Sequence, residues 1–356
     1  MNQQRVNLAR EKLREHEIQG LLVAHRDNVR WLTGFSGSSG LALLTLTDVH
    51  MFTDGRYTIQ TGEEAVGAIV HISDDTPIKQ VGEYLKTDSL ARVGFEANVL
   101  TVDEYRQLVQ ACGSDPTVAL VGIINGLRAI KDESEISAIR VACRISDAAF
   151  DLVLPHIKPG VSELHVVREL VYALGMAGAD NEAFDSIVAS GPRSALPHAK
   201  PSERVLSVGE PLLLDFGAMK SGYVGDITRT LYLGNASAEF MKIYNIVREA
   251  QLRAIDAIRP GITGKGVDSV ARDVIFRAGF GDNFSHGLGH QIGLHVHDGP
   301  ALSQKSPITL QEGMVVTVEP GIYIEGWGGV RIEDDVLVTA LGAEILTSSN
   351  KQLIEL

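Results

Sequence analysis

From about residue 130 to its end the sequence states one pattern twice, and this repeat constrains the fold more than any other feature. ESEISAIRVACRISDAAFDLVLPHI carries apolar residues at helical spacing, Pro159-Gly160 breaks it, and Ser162 opens a second helix, SELHVVRELVYALGMAG. The same order returns in KIYNIVREAQLRAIDAIRPGITGKGVDSVARDVIFRAGF, where Pro260-Gly261 and a Thr263 cap stand 101 residues beyond Pro159-Gly160 and Ser162. Each helix pair is followed by a candidate β-hairpin that carries acids. In LLLDFGAMKSGYVGDITRT, a two-residue loop at Lys220-Ser221 sets Asp215 opposite Asp226, with Cβ atoms roughly 4.5–5.5 Å apart. In EPGIYIEGWGGVRIEDD, a turn centred on Gly326 sets Glu319 opposite Glu333. Asp215 and Glu319 are 104 residues apart, and Asp226 and Glu333 are 107 apart, close to the helical offset. Helix-helix-hairpin stated twice predicts a pseudo-two-fold unit whose hairpins meet at the axis. A lone acidic pair on a hairpin can be an accident of an exposed face. Two pairs brought together repel one another unless cations lie between them, which makes a dinuclear metal cage.

The first part of the chain reads differently. Residues 5–17 have the pattern of an amphipathic helix, GLLVAH (20–25) that of a buried strand, and HMFTDGRYTIQTGEEA that of strand, turn and helix. Strand-helix alternation continues to about residue 120, a mixed α/β domain, and GIINGLRAIKD (122–132) reads as a linker. The GFSGSSG loop has neither the lysine of a P-loop nor the spacing of a dinucleotide fingerprint, so it reads as structural.

A formal charge of −13 argues against nucleic acid, which demands a basic surface. Two isolated cysteines, Cys112 and Cys143, exclude a disulfide framework and read as buried thiols. No apolar run approaches the roughly 18 residues that span a bilayer. The N-terminal segment lacks the apolar core of a signal peptide, so the expected compartment is the cytoplasm. Two divalent ions balance four carboxylates, and a neutral histidine is their usual complement. FSHGLGHQIGLHVHDGP (284–300) offers His286, His290, His295 and His297. Oxygen ligands with one imidazole suit Mn²⁺, Co²⁺ or Zn²⁺ over metals that prefer thiolate. Two such ions can share a hydroxide and polarise a carbonyl, which points to hydrolysis of an amide or ester.

The order Asp215, Asp226, His290, Glu319, Glu333, set in HGLGHQIGLHVHDGP and VEPGIY…GGVRIEDD, resembles the metal site of the pita-bread metallopeptidases: Xaa-Pro aminopeptidases, prolidases and methionine aminopeptidases. DNVRWLTGFSGSSG and MFTDGRYT are similar to the creatinase-like N-terminal domain of the Xaa-Pro enzymes, which methionine aminopeptidases lack. The resemblance implies an α/β (α+β) fold, with a creatinase-like mixed α/β domain at residues 1–124 and a pseudo-two-fold pita-bread catalytic domain at 125–356. It implies two divalent metal ions, Mn²⁺ first and Co²⁺ or Zn²⁺ as alternatives. Asp215 would hold one metal, Asp226 and Glu333 would bridge both, and His290 and Glu319 would complete the other. His198 and His297 would contact the substrate and steady the oxyanion. Glu319 would carry the proton from a metal-bridging hydroxide to the leaving nitrogen. Arg331 would pair with an acidic ligand or with a substrate carboxylate, and His286 would orient ligands. His295 and Asp298 depart from the acidic residue and the glutamate common among relatives, which touches substrate preference and not the ligands. The implied substrate is a small peptide with proline second, and the implied assembly is a homodimer with no nucleic acid and no membrane. A metal-free creatinase-type amidinohydrolase and a non-catalytic binding protein are the alternatives on this fold. Both lose acidic ligands, and this chain keeps all five positions.

Overall fold

The computed structural model of the chain describes residues 1–88 and 90–356. It divides into two compact units, Met1–Arg128 and Ala129–Leu356.

In the first unit six strands form one mixed sheet in the order β4-β3-β2-β1-β5-β6. They are β1 (Gly20–Val23), β2 (Leu41–Thr45), β3 (Val49–Thr53), β4 (Ile69–Ile72), β5 (Val93–Glu96) and β6 (Thr117–Leu120). Its helices are α1 (Gln3–Glu15), α2 (Arg26–Thr33), α3 (Thr58–Glu64), α4 (Pro77–Asp88), α5 (Val102–Cys112) and α6 (Ile123–Arg128). The GFSGSSG segment is a loop between α2 and β2. The stretch read as a linker is in part a helix. Ile124 and Arg128 of α6 are buried, and Arg128 donates to Asn28 Oδ1 at 2.6 Å. Burial of one face keeps these residues with the first unit, and the division falls after them.

The second unit opens with α7 (Glu133–Val153) and α8 (Glu163–Ala177). Strands β7 (Asn181–Glu182), β8 (Ile187–Ser190), β9 (Glu210–Phe216), β10 (Ala218–Lys220), β11 (Tyr223–Val224) and β12 (Ile227–Leu233) follow. The order then repeats with α9 (Ala238–Ala257), α10 (Gly264–Arg277), β13 (Val315–Val318), β14 (Gly321–Ile324), β15 (Gly328–Arg331), β16 (Asp334–Thr339) and β17 (Gly342–Ile345). Ser162 caps α8 and Thr263 caps α10 through their side chains, at the positions the sequence marks. Each cap residue also makes an isolated antiparallel bridge, Ser162 to Val205 and Thr263 to Thr309. The two halves therefore share even this small detail. Among the described residues no helix is long and apolar enough to cross a membrane.

The helix pairs decide where the acids point. Leu212, Leu214, Phe216, Ile227 and Leu231 pack with α7 and α8 in one apolar cluster. Strand side chains alternate faces, so Asp215 and Thr228 lie on the face the helices leave uncovered. In the other half Val316, Val318, Ile332 and Val336 pack with α9 and α10, which turns Thr317 and Glu333 the same way. The two uncovered faces are joined by Thr228, whose carbonyl accepts the Glu333 N–H at 3.1 Å, and by Thr230, whose hydroxyl donates to Arg331 O at 2.9 Å.

Register differs from expectation in one hairpin. Lys220 pairs with Tyr223, which leaves Ser221-Gly222 as the loop. Both loop residues have positive φ, 50° and 80°, as a type I′ turn requires. Asp215 consequently faces Thr228, not Asp226. Asp226 lies two residues before Thr228, at the diagonal position on the same face, still within reach of Asp215. The second hairpin keeps the expected register. Val318 opposes Asp334 and Gly321 opposes Arg331, so Glu319 falls across from Glu333.

Candidate metal centre

Asp215, Asp226, His290, Glu319 and Glu333 all line one cavity of about 340 Å³. His198, His286, His297 and Arg331 line the same cavity. One ligand atom each of Asp226, His290 and Glu333 lie within 4.8 Å of one another. Glu319 adjoins them, with Oε1 3.5 Å from His290 Nε2. Asp215 is held by Arg331, whose Nη2 donates to its Oδ2 at 2.5 Å. His295 is exposed outside the lining, and its Nδ1 accepts the His297 N–H at 3.2 Å. Asp298 is buried, and its Oδ2 accepts the Leu294 N–H at 3.2 Å and lies 4.0 Å from Lys131 Nζ.

The geometry around His290 tests whether the site suits a cation. Its Nδ1–H donates to the Gln291 carbonyl at 3.3 Å, which leaves the Nε2 lone pair free. That lone pair faces Asp226 Oδ2 at 3.6 Å and Glu319 Oε1 at 3.5 Å. Burial, and then His297 nearby, pull the His290 pKa down to about 4, so the ring is neutral at physiological pH. A lone pair set against two carboxylates gains nothing from them directly. A cation between them satisfies all three. The acids agree. Burial and then the charge of Asp215 raise the pKa of Asp226 well above the usual carboxylate range, and burial and then Asp226 do the same to Glu333. Burial pushes Glu319 up to about 8. Among the described residues Asp226 Oδ1 is buried without a hydrogen-bond partner. Desolvated acids this close together and an orphaned oxygen make a site that a positive charge among them would stabilise. The residues present therefore fit divalent metal.

Arg331 takes one of the two kinds of partner that the sequence leaves open, an acid of the cluster. It is 2% exposed. Its Nε donates to Thr228 Oγ1 at 3.1 Å, and Nη1 donates to the Tyr323 hydroxyl at 2.8 Å and to Pro197 O at 3.3 Å. With Nη2 on Asp215, the guanidinium pairs with an acid of the cluster and has its three nitrogens engaged.

The sequence of this chain is matched over residues 137–340 by Metallopeptidase family M24, and over residues 5–130 by the Creatinase/Prolidase N-terminal domain. The chain belongs to metallopeptidase family M24. Among M24 relatives, the Xaa-Pro dipeptidase of Pyrococcus horikoshii is 36% identical over 97% of this chain and 97% of its own. The structure is similar to that of an Xaa-Pro dipeptidase from Bacillus anthracis, with TM-score 0.96 and 42% identity over 99% of both chains. It is also similar to that of an X-Pro aminopeptidase from Thermotoga maritima, with TM-score 0.91 and 36% identity over 99% of both.

Around the acids of this M24 chain the structure adds residues that sequence reasoning missed. Thr228 donates to Glu333 Oε2 at 2.5 Å while accepting from Arg331. Thr317 accepts the His290 N–H at 3.0 Å and donates to Glu319 Oε1 at 3.4 Å. The Tyr323 hydroxyl donates a hydrogen bond to His286 Nε2 at 2.8 Å, and His286 Nδ1–H donates to Gly287 O at 2.8 Å. The signal for the threonines was available: each stands two residues from an acid, on the same strand face. Tyr323 gave no such signal, because its partners come from other elements.

Proposed function

We propose that this M24 metallopeptidase hydrolyses the bond between an N-terminal residue and a following proline, in dipeptides, in longer peptides, or in both. The observation that carries the reading is the convergence of four carboxylates and the free Nε2 of a neutral His290 on one cavity. The names of the relatives supply the proline. In this reading Asp215, Asp226, His290, Glu319 and Glu333 hold two divalent ions, with Mn²⁺ the first candidate for such a donor set. When bound, the ions make a nucleophile from water at neutral pH and polarise the scissile carbonyl.

The chain's own residues do the rest. Arg331 fixes one oxygen of Asp215, and Thr228 fixes one oxygen of Glu333, so these acids present their remaining oxygens in set directions. Thr317 does the same for Glu319 through Oε1. Glu319 takes the proton of the attacking water and delivers it to the proline nitrogen as the bond breaks. His198 and His297, both exposed at the cavity, donate to the carbonyl oxygen as negative charge develops there. Phe184, Ile187 and Val296 give the cavity an apolar wall against which the substrate's side chain and proline ring pack. The reading also expects a homodimer in the cytoplasm.

The test is hydrolysis by metal-stripped enzyme resupplied with Mn²⁺, using an Xaa-Pro dipeptide, an Xaa-Pro-Xaa tripeptide and a methionyl peptide without proline. Mn²⁺-dependent cleavage of either proline substrate and not of the third is the expected result. Dipeptide cleavage alone identifies a dipeptidase, and tripeptide cleavage as well identifies an aminopeptidase. Cleavage of the methionyl peptide alone contradicts the proline assignment.

A further inference from the structure

Asp226 sits at a break in its strand, where β11 ends at Val224 and β12 begins at Ile227. The Gly225 N–H still joins the hairpin, donating to Ala218 O at 3.0 Å. The next N–H does not. It donates at 2.7 Å to Oδ2 of Asp335, 109 residues along the chain. The same oxygen accepts the thiol of Cys143 at 3.2 Å. Asp335 and Cys143 are both fully buried, at 0% exposure. Helix α7 reaches this point because residue 225 is glycine: a Cβ there would lie 2.9 Å from the Cys143 backbone nitrogen. One turn on, Ser146 Oγ accepts the Ala218 N–H at 2.9 Å, so α7 grips the kinked hairpin at two places.

A carboxylate is a poor choice for a dry interior unless its bonds are needed. Here it satisfies a backbone N–H that the kink has taken off the ladder, at the residue whose side chain enters the metal cluster. We infer that Asp335, steadied by the Cys143 thiol, is a positioning residue that sets the direction of Asp226 toward the cations. The inference rests on the reading of Asp226 as a metal ligand. It gives work to a cysteine that the sequence presents as an isolated buried thiol, and to an acid absent from the set of five.

Loss of the groups that orient metal ligands typically weakens affinity by about 10–100-fold. The experiment is calorimetric titration of the metal-stripped full chain with Mn²⁺, alongside the thermal midpoint of each stripped protein. Asp335→Ala is expected to weaken Mn²⁺ binding by about 10–100-fold. Asp335→Asn is expected to recover most of that loss, because its amide oxygen still accepts the Asp226 N–H. Cys143→Ala is expected to weaken binding in the same direction and Cys143→Ser to restore it. A merely structural role would lower the stripped midpoint in Asp335→Ala with wild-type Mn²⁺ affinity, and that outcome overturns the proposal. If Asp335→Ala does not fold, wild-type affinity in Cys143→Ala overturns it equally. Failure of the wild-type chain to bind Mn²⁺ is a different result: it removes Asp226 as a ligand, and the proposal with it.

Discussion

Glu319→Gln is expected to lower kcat by about 10³-fold, the range associated with loss of a positioned proton carrier. The substitution keeps the size of the side chain and an oxygen for Thr317 to donate to at Oε1. In the proposed mechanism it removes a charge that would hold metal and the basic oxygen that would accept the proton. Both losses act on the same step, so the effect exceeds that of removing a binding contact alone. Stability responds in the opposite sense. Burial raises the Glu319 pKa to about 8, which means the metal-free fold disfavours its ionised form. A neutral amide removes that penalty, so the stripped variant at pH 8 is at least as stable as the stripped wild type. Steady-state kinetics with the Xaa-Pro substrates and thermal unfolding of the stripped proteins check the two halves of this result. A kcat within about threefold of wild type contradicts the role given to Glu319.

The second large effect is on the linkage between metal, protons and stability. An acid that holds its proton more tightly in the folded chain stabilises the fold below its unfolded pKa, and this stabilisation disappears as pH rises through the folded value. For Glu319 the interval runs from about 4.3 in the unfolded chain to about 8 in the folded one. Asp226 and Glu333 shift in the same direction, and Asp335 is raised to about 8 as well, by burial first. The lowered histidines, His50, His71, His286, His290 and His297, act oppositely. They cost stability only as pH falls below the unfolded value of about 6.5. Between pH 7 and pH 8.5 the acids therefore dominate, and the stripped protein loses stability as pH rises. Metal reverses the trend, because its carboxylate ligands must be deprotonated to bind. Mn²⁺ at about a thousand times its Kd adds about 4 kcal/mol. The gap between the unfolding midpoints of loaded and stripped protein should widen steadily from pH 7 to pH 8.5. A gap that narrows over that range contradicts the assignment of these acids to the metal.

What the sequence could reveal depended on how local the deciding interactions are. Ser162 and Thr263 cap their helices through hydrogen bonds within the first turn, so the residue types announced them. The turn at Gly326 was readable for the same reason, and with it the pairing of Glu319 and Glu333. The first hairpin failed by one residue because Ser221 takes φ of 50°, a conformation its identity does not advertise. The acids still converge, because a strand alternates its faces and the apolar residues between them had to meet the helices. Residues 122–132 looked like a linker because a short helix with one buried face has too few turns to show a period. The contacts of Tyr323 with His286, and of Asp335 with Asp226, were illegible. They join elements far apart in the chain, and only the closed fold brings them within reach.

The measurement that bears most directly on the central claim is anomalous diffraction from crystals of the metal-stripped chain soaked in Mn²⁺. The account predicts two peaks in the cavity, about 3.5–4 Å apart, with Asp226 and Glu333 reaching both, Asp215 on one side and His290 with Glu319 on the other. Peaks only outside the cavity, or none at any Mn²⁺ concentration that supports hydrolysis, would contradict it.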